Sequence, residues 1–328
     1  MADNPELNKN LKHNFIVNLL DGGFFGFGMG FASFATVLPL FVSNLTDSAI
    51  LIGLIPAVHN VGWMLPQLLT ARSISRMEQF KPNVLFWTIQ ERLPFLGLAL
   101  IALAMGILGK PTALILTFIL LIWQGLSAGM TANPWQNMIG KIIPSHIRGT
   151  FFGSQSAAAN LMGGIGALAA GYLIDSMGFS RGFMFSFFAS IAMMSISFVG
   201  LASTREPLRI VEPLPTEQVS FWGNVSQILK NDHGFRWFII SRFLFQFGTM
   251  AAAFYTVYAV QELGMTSLAA GAMTSVLFIV QVGSNTVFGW LGDRIGHMHV
   301  LRIGAASAIA AAVLAFLAPS SGWFFAVM

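Results

Sequence analysis

Nine stretches of this chain are apolar for 21 residues or more, and that length leaves few folds open. They fall at roughly 14–42, 50–71, 83–107, 111–133, 150–174, 180–203, 236–261, 267–291 and 298–318, and a further run begins near Gly322. A helix of about 20 apolar residues crosses the hydrocarbon core of a bilayer and satisfies its own backbone hydrogen bonds there. The sequence therefore predicts an all-α polytopic membrane protein with about nine full transmembrane helices and the start of a tenth. The first run exceeds the apolar core of a cleavable signal peptide, about 7–15 residues, so it is expected to stay as a membrane helix. Pro39, Pro56, Pro66 and Pro94 lie inside or near the ends of spans, where a helix bundle tolerates them.

Composition agrees, with 55% of residues hydrophobic and 9% charged, against about a quarter charged in soluble domains. With no cysteine, disulfides and cysteine metal sites are excluded. His297 and His299 have no carboxylate at ligand spacing, so no metal site is expected. The net charge of +4 points to orientation rather than to a nucleic-acid partner, because in a membrane protein the position of each basic residue matters more than the sum. If the N-terminus is cytoplasmic, thirteen of the 17 basic residues fall on inside segments. Lys110 and Arg181 fall outside, and Arg92 and Arg242 lie within spans. That asymmetry predicts a cytoplasmic N-terminus in a cell (inner or plasma) membrane, with the lipid bilayer as the surrounding partner.

The one long connection, roughly 204–235, carries Pro207, Pro213 and Pro215. It then runs through Phe221, Trp222, Val225, Ile228 and Leu229 at helical spacing, which predicts a short amphipathic helix on the membrane surface. Six spans precede it. The expected division is thus 1–203 as an N-terminal six-helix bundle, 204–235 as a cytoplasmic linker, and 236–328 as an incomplete C-terminal bundle.

Between the eighth and ninth runs, residues 289–301 read Gly-Trp-Leu-Gly-Asp-Arg-Ile-Gly-His-Met-His-Val-Leu. Asp293 and Arg294 sit where one helix leaves the bilayer and another enters, and a carboxylate there can hold an arginine or a helix N-terminus. This loop resembles the signature of the major facilitator superfamily of membrane transporters. Ile143-Pro144 with Arg148-Gly149-Thr150, and Gly171-Tyr172-Leu173-Ile174-Asp175, resemble further family loops. The resemblance implies a fold of two six-helix halves, in which Gly289, Asp293, Arg294 and Gly296 form a cytoplasmic gate. On that fold twelve helices are expected, so the sequence is expected to be a fragment. The loop from Arg72 to Lys81 lacks the Asp and Gly of the pattern, and the fifth span lacks the Gly-Pro pair of the family's antiporter motif.

Charges at membrane depth are the main candidates for function, because each is unfavourable by about 2.5–3.5 kcal/mol at the bilayer centre on insertion scales. Asp21, Glu91, Arg92 and Arg242 are these charges. Burial and a nearby cation act in opposite senses on a carboxylate's affinity for protons, so Asp21 or Glu91 are candidates to exchange protons, and a structural ion pair of either with Arg92 is the alternative. Arg242, Gln246, Thr249, Ala253 and Thr256 form a polar stripe beside Phe243, Phe247, Phe254 and Tyr258, which reads as a cavity wall or as helix-helix hydrogen bonding. Gln124 with Ser127 and Thr131, and Gln281 with Asn285 and Thr274, repeat the theme. His59 shares a face with Trp63, Pro66 and Thr70 and reads first as a satisfied hydrogen-bonding residue. Gly22, Gly26 and Gly30 place one face of the first span for close packing, while Phe24, Phe27, Phe31 and Phe34 read equally as a cavity wall or as lipid contact.

No phosphate-binding Gly-x-x-x-x-Gly-Lys, His-Glu-x-x-His or Gly-x-Ser-x-Gly motif occurs, so neither an enzyme nor a bound cofactor is expected. The expected function is a secondary active transporter of a small organic solute working by alternating access, with protons as the candidate coupling ion. A truncated or non-transporting membrane protein of the same fold, acting as a sensor or assembly partner, is the alternative.

Overall fold

The computed structural model describes residues 5–74, 77–208, 221–295 and 297–327, and for some of these the backbone alone. Every full-length apolar stretch but the first coincides with a single helix, as the obligation to satisfy backbone polar groups in lipid requires. The helices are α1 (Pro5–Phe31), α2 (Val37–Ser43), α3 (Ala49–Ile74), α4 (Lys81–Leu103), α5 (Met105–Ile142), α6 (Ser145–Met177), α7 (Phe179–Ala202), α8 (Phe221–Asn231), α9 (His233–Gln261), α10 (Ser267–Ile295) and α11 (His297–Leu317). A 3₁₀ turn (Ser321–Trp323) and α12 (Phe324–Val327) follow. Among the described residues, seven helices are long and apolar enough to cross a membrane. Apolar side chains point outward over much of the surface, with Ile107 92% and Phe316 89% exposed. That surface belongs in lipid.

Two stretches differ from the sequence expectation. The first run is not one helix over 14–42 but α1 and α2 joined by a turn. Ser33 explains the break: its Oγ accepts from Ala35 N at 3.2 Å and its carbonyl accepts from Leu38 N at 2.9 Å. Such local side-chain bonds compete with the helical ladder. The helix expected over 111–133 runs on to Ile142, with non-helical dihedrals at Gly109 (φ 69°) near its start, a backbone conformation that glycine adopts without strain. Pro56, Pro66, Pro94, Pro111 and Pro134 lie inside helices.

α1 is the central element of the first seven helices, packed between α6 and α7. Its small face meets α6 so closely that a Cβ at Gly26 would lie 2.2 Å from Ala159 O, and one at Gly30 2.1 Å from Gly163 O. Its other contact uses a buried stripe on α7, in which Ser186 Oγ donates to Phe31 O at 2.6 Å and Ser190 Oγ to Gly28 O at 2.8 Å. Phe31 is buried, Phe27 stacks on it with centroids 5.3 Å apart, and Phe34 stacks on His59 at 4.2 Å. α6 also packs along α10, and α3 and α2 touch α9.

The bundle end that carries the N-terminus is held by polar anchors. Asn14 exchanges two hydrogen bonds with the backbone of Arg205, at 2.8 and 2.9 Å. Arg148 Nη2 donates to Gly140 O at 2.6 Å and Ile143 O at 3.2 Å, closing the last turn of α5 as a cation favours. Glu206 accepts from Phe80 N and Lys81 N at the start of α4, at 2.7–3.0 Å, and from Lys141 Nζ at 2.9 Å. The start of α4 is thus held by the carboxylate of residue 206, where the 72–81 loop lacks the Asp of the family pattern. Glu206→Ala is expected to destabilise the protein by about 2–3 kcal/mol, since it strips a buried acceptor from three donors. Thermal unfolding in detergent reads this directly, and Glu206→Gln should recover part of the loss.

Candidate functional site

Three of the charges at depth converge. Asp21 on α1 and Glu91 and Arg92 on α4 are all buried and line one cavity of about 270 Å³. A helical turn advances 3.6 residues, so the adjacent Glu91 and Arg92 point in different directions and find different partners. Arg92 Nη2 lies 3.5 Å from Asp21 Oδ1 and 2.7 Å from Ser197 Oγ on α7, and Ser197 Oγ donates to Asp21 Oδ1 at 2.6 Å. Arg92 Nε donates to Met194 O at 3.0 Å, and Nη1 donates to Thr88 O at 3.1 Å and to Thr88 Oγ1. The guanidinium also covers the Phe25 ring, 5.1 Å from its centroid. Of the two readings open for Arg92, the structure shows the ion pair with Asp21, joining α1, α4 and α7.

Glu91 lines the cavity beside Thr131 of α5, whose hydroxyl donates to Ser127 O at 2.9 Å. Trp63 from α3, Trp135 and Gln136 from α5, and Gln155 and Ser156 from α6 complete the wall. Gln155 is fixed by donating to Asn18 O at 2.9 Å. Trp63 is 40% exposed and Gln136 is exposed, so the cavity opens past these two side chains. The arrangement offers one neutralised ion pair, one carboxylate without a cation of its own, and aromatic faces.

The other candidates are placed elsewhere. Gln124 is buried on α5 and its Oε1 accepts from His59 Nδ1 at 2.8 Å, so it belongs to the α3–α5 contact and not to the cavity wall. Gln281 is half-buried on α10. The side chains of Arg242, Gln246, Asn285, Gly289, Asp293 and Arg294 lie outside the described ones, as does Gly296 altogether. Phe25 lines the cavity, whereas Phe24, Phe27, Phe31 and Phe34 do not. Thr88, Ser197 and Gln155 were not singled out by sequence reasoning. Only Thr88 had a signal, one helical turn before Arg92.

α6 and α10 meet along small residues. At the bundle end opposite the N-terminus, Asp175 accepts from Ser267 N at 2.8 Å and Leu268 N at 2.6 Å, capping α10. A Cβ at Gly171 would lie 2.4 Å from Ser267 O, and one at Gly271 2.4 Å from Ala167 O. The seam continues to Gly164 with Ser275 and Gly163 with Phe278, whereas Gly149 and Gly153 on α6 and Gly283 on α10 face open space. Among the described residues, the close approaches of the two helices therefore lie toward the Asp175 end.

No curated protein matches the sequence. Among solved structures the fold is similar to that described as "Crystal structure of D-xylose-proton symporter", with a TM-score of 0.64 at 15% identity, over 96% of this chain and 79% of that one. The sequence model of the Major Facilitator Superfamily matches residues 89–328. On the helical fold and this match across most of its length, the chain belongs to the Major Facilitator Superfamily and is a multi-pass membrane protein built as a secondary transporter.

Proposed function

We propose that the protein moves a small organic solute across a cell membrane by alternating access, with Glu91 as the carboxylate that exchanges protons with the transported species. Residues 1–203 and 236–328 are the two moving bodies, 204–235 is the cytoplasmic linker, and the end that carries the N-terminus faces the cytoplasm. One observation carries the reading: the cavity holding Asp21, Glu91 and Arg92 opens to one side, while Asp175 and the α6–α10 seam close the other. This is the arrangement of one end state of a rocking pair around a central site. The name of the structural neighbour, a sugar-proton symporter, supports proton coupling as the energy source.

The seam supplies a test. The chain has no cysteine, so a pair of spin labels can be introduced at Met177 and Glu262, both exposed near the Asp175 end. Two distance populations are expected in the membrane, the shorter being the closed arrangement. Asp175→Ala removes a charged N-cap, a contact worth about 1 kcal/mol, so it should move the ratio of populations several-fold toward the longer distance. A single population in both proteins rules out the rocking motion. In proteoliposomes, internal pH should respond to an external panel of sugars, amines and organic acids, and Glu91→Gln should abolish that response with membrane insertion unchanged.

A further inference from the structure

We propose that the cavity walled by α1, α3, α4, α5 and α6 binds a small organic cation of the ammonium class, held between the Glu91 carboxylate and the Trp63 indole, and rejects organic anions. The inference deepens the transport reading by naming the solute class of the same site.

The cation on the wall is already consumed. An arginine has five N–H donors in a fixed fork, and those of Arg92 are directed to Met194 O, Thr88 O, Thr88 Oγ1, Asp21 Oδ1 and Ser197 Oγ. Asp21 balances its charge, and Phe25 covers a face of the guanidinium. No donor is left to form the paired contact by which arginine recognises a carboxylate or phosphate. Among the described residues of the wall, Arg92 is the sole cation. A solute anion would meet an engaged guanidinium and a second carboxylate.

Glu91 is in the opposite position. It is buried, the Thr131 hydroxyl on the same wall donates to Ser127 O, and no cation of the described residues lies within ion-pair distance of it. The charge of the neighbouring Arg92 is paired with Asp21, and a buried carboxylate without an ion-pair partner of its own is unfavourable unless a proton or a ligand cation supplies one. Trp63 and Trp135 stand on the same wall, and an indole face is the strongest of the aromatic partners for an ammonium group. The cavity volume of about 270 Å³ lies just under the usual range of ligand pockets, which begins near ~300 Å³, so the solute is small.

Phenyltrimethylammonium and benzenesulfonate, similar in size and opposite in charge, are the probes for the full-length protein purified in detergent, with binding read by titration calorimetry. Phenyltrimethylammonium is expected to bind and benzenesulfonate not. Glu91→Gln should weaken the cation at least about tenfold, the equivalent of losing a charge-assisted contact, while Glu91→Asp should largely keep it. Trp63→Leu should weaken it by roughly threefold to tenfold. Binding of benzenesulfonate as tight as that of phenyltrimethylammonium overturns the proposal. Unchanged cation affinity in Glu91→Gln overturns it too, as does binding of neither probe. Cation binding without a second distance population between labels at Met177 and Glu262 instead removes the rocking motion and keeps the site.

Discussion

Arg92→Ala is expected to destabilise the protein by about 3–5 kcal/mol, the range found when one partner of a buried ion pair is deleted. The substitution leaves Asp21, 6% exposed, with Ser197 as its hydrogen-bond donor and no balancing charge. It also strips a donor from the carbonyls of Met194 and Thr88. Because Asp21, Arg92 and Ser197 sit on α1, α4 and α7, the loss loosens three helices together. Thermal unfolding in detergent, followed by loss of monodispersity in gel filtration, measures it. Two further variants separate charge from shape. Arg92→Lys keeps the charge with three donors in place of a fork of five, and should fall between wild type and alanine. The double variant Asp21→Asn with Arg92→Gln removes both charges and keeps hydrogen-bonding groups, and should recover a large part of the alanine loss. If the double variant is no more stable than Arg92→Ala, the two residues do not act as a pair and the cluster is held by the carbonyl contacts alone.

The charges at depth were legible because their rarity in apolar runs is itself the signal: Asp21, Glu91 and Arg92 stand out in α1 and α4 before any contact is known. Which of the two carboxylates pairs with Arg92 was not legible. The pairing joins residues 71 positions apart, and the bridging Ser197 lies 105 positions from Arg92 in a helix where serine recurs at Ser186, Ser190 and Ser195. A neutral hydroxyl in a membrane helix carries no mark of whether it serves packing or a charge. Glu206 was hidden for a different reason: it follows the last turn of α7, reads as the start of a linker, and acts on a helix start 125 positions earlier. The break after Phe31 was invisible to hydropathy because the turn itself is apolar enough to continue the run, and only the local bonding of Ser33 gives it away. By contrast, the four-residue spacing of Gly22, Gly26 and Gly30 stated a geometric requirement that a single partner surface could meet. The structure supplies that partner as α6, with Gln155, Ala159 and Gly163 opposite the three glycines in turn.

That seam carries the other large effect. Gly26→Ala and Gly30→Ala are each expected to destabilise the protein by about 3 kcal/mol, the upper part of the range for overpacking a well-filled interface. The added Cβ would meet backbone in both cases, at 2.2 Å from Ala159 O and 2.1 Å from Gly163 O. Carbon and carbonyl oxygen in weak contact sit about 3.3–3.6 Å apart, so α1 and α6 must part by roughly an ångström. Side-chain rotation cannot relieve a clash with a carbonyl. Nor can α6 simply retreat, because it is also held against α10 by close approaches, 2.4 Å for a Cβ at Gly171 or Gly271. Parting the helices would also stretch the bond from Gln155 to Asn18 O and so disturb the cavity wall. Gly23→Ala is the matched control: its Cβ would lie 3.7 Å from Ala158 Cβ, an ordinary contact, and the substitution should be neutral or slightly stabilising. Melting temperatures of the three variants in one detergent decide the matter. Equal stability of Gly23→Ala and Gly26→Ala would mean that backbone approach does not set the distance between α1 and α6. A selective loss at positions 26 and 30 would show that the backbone of α6 sets how closely α1 approaches it.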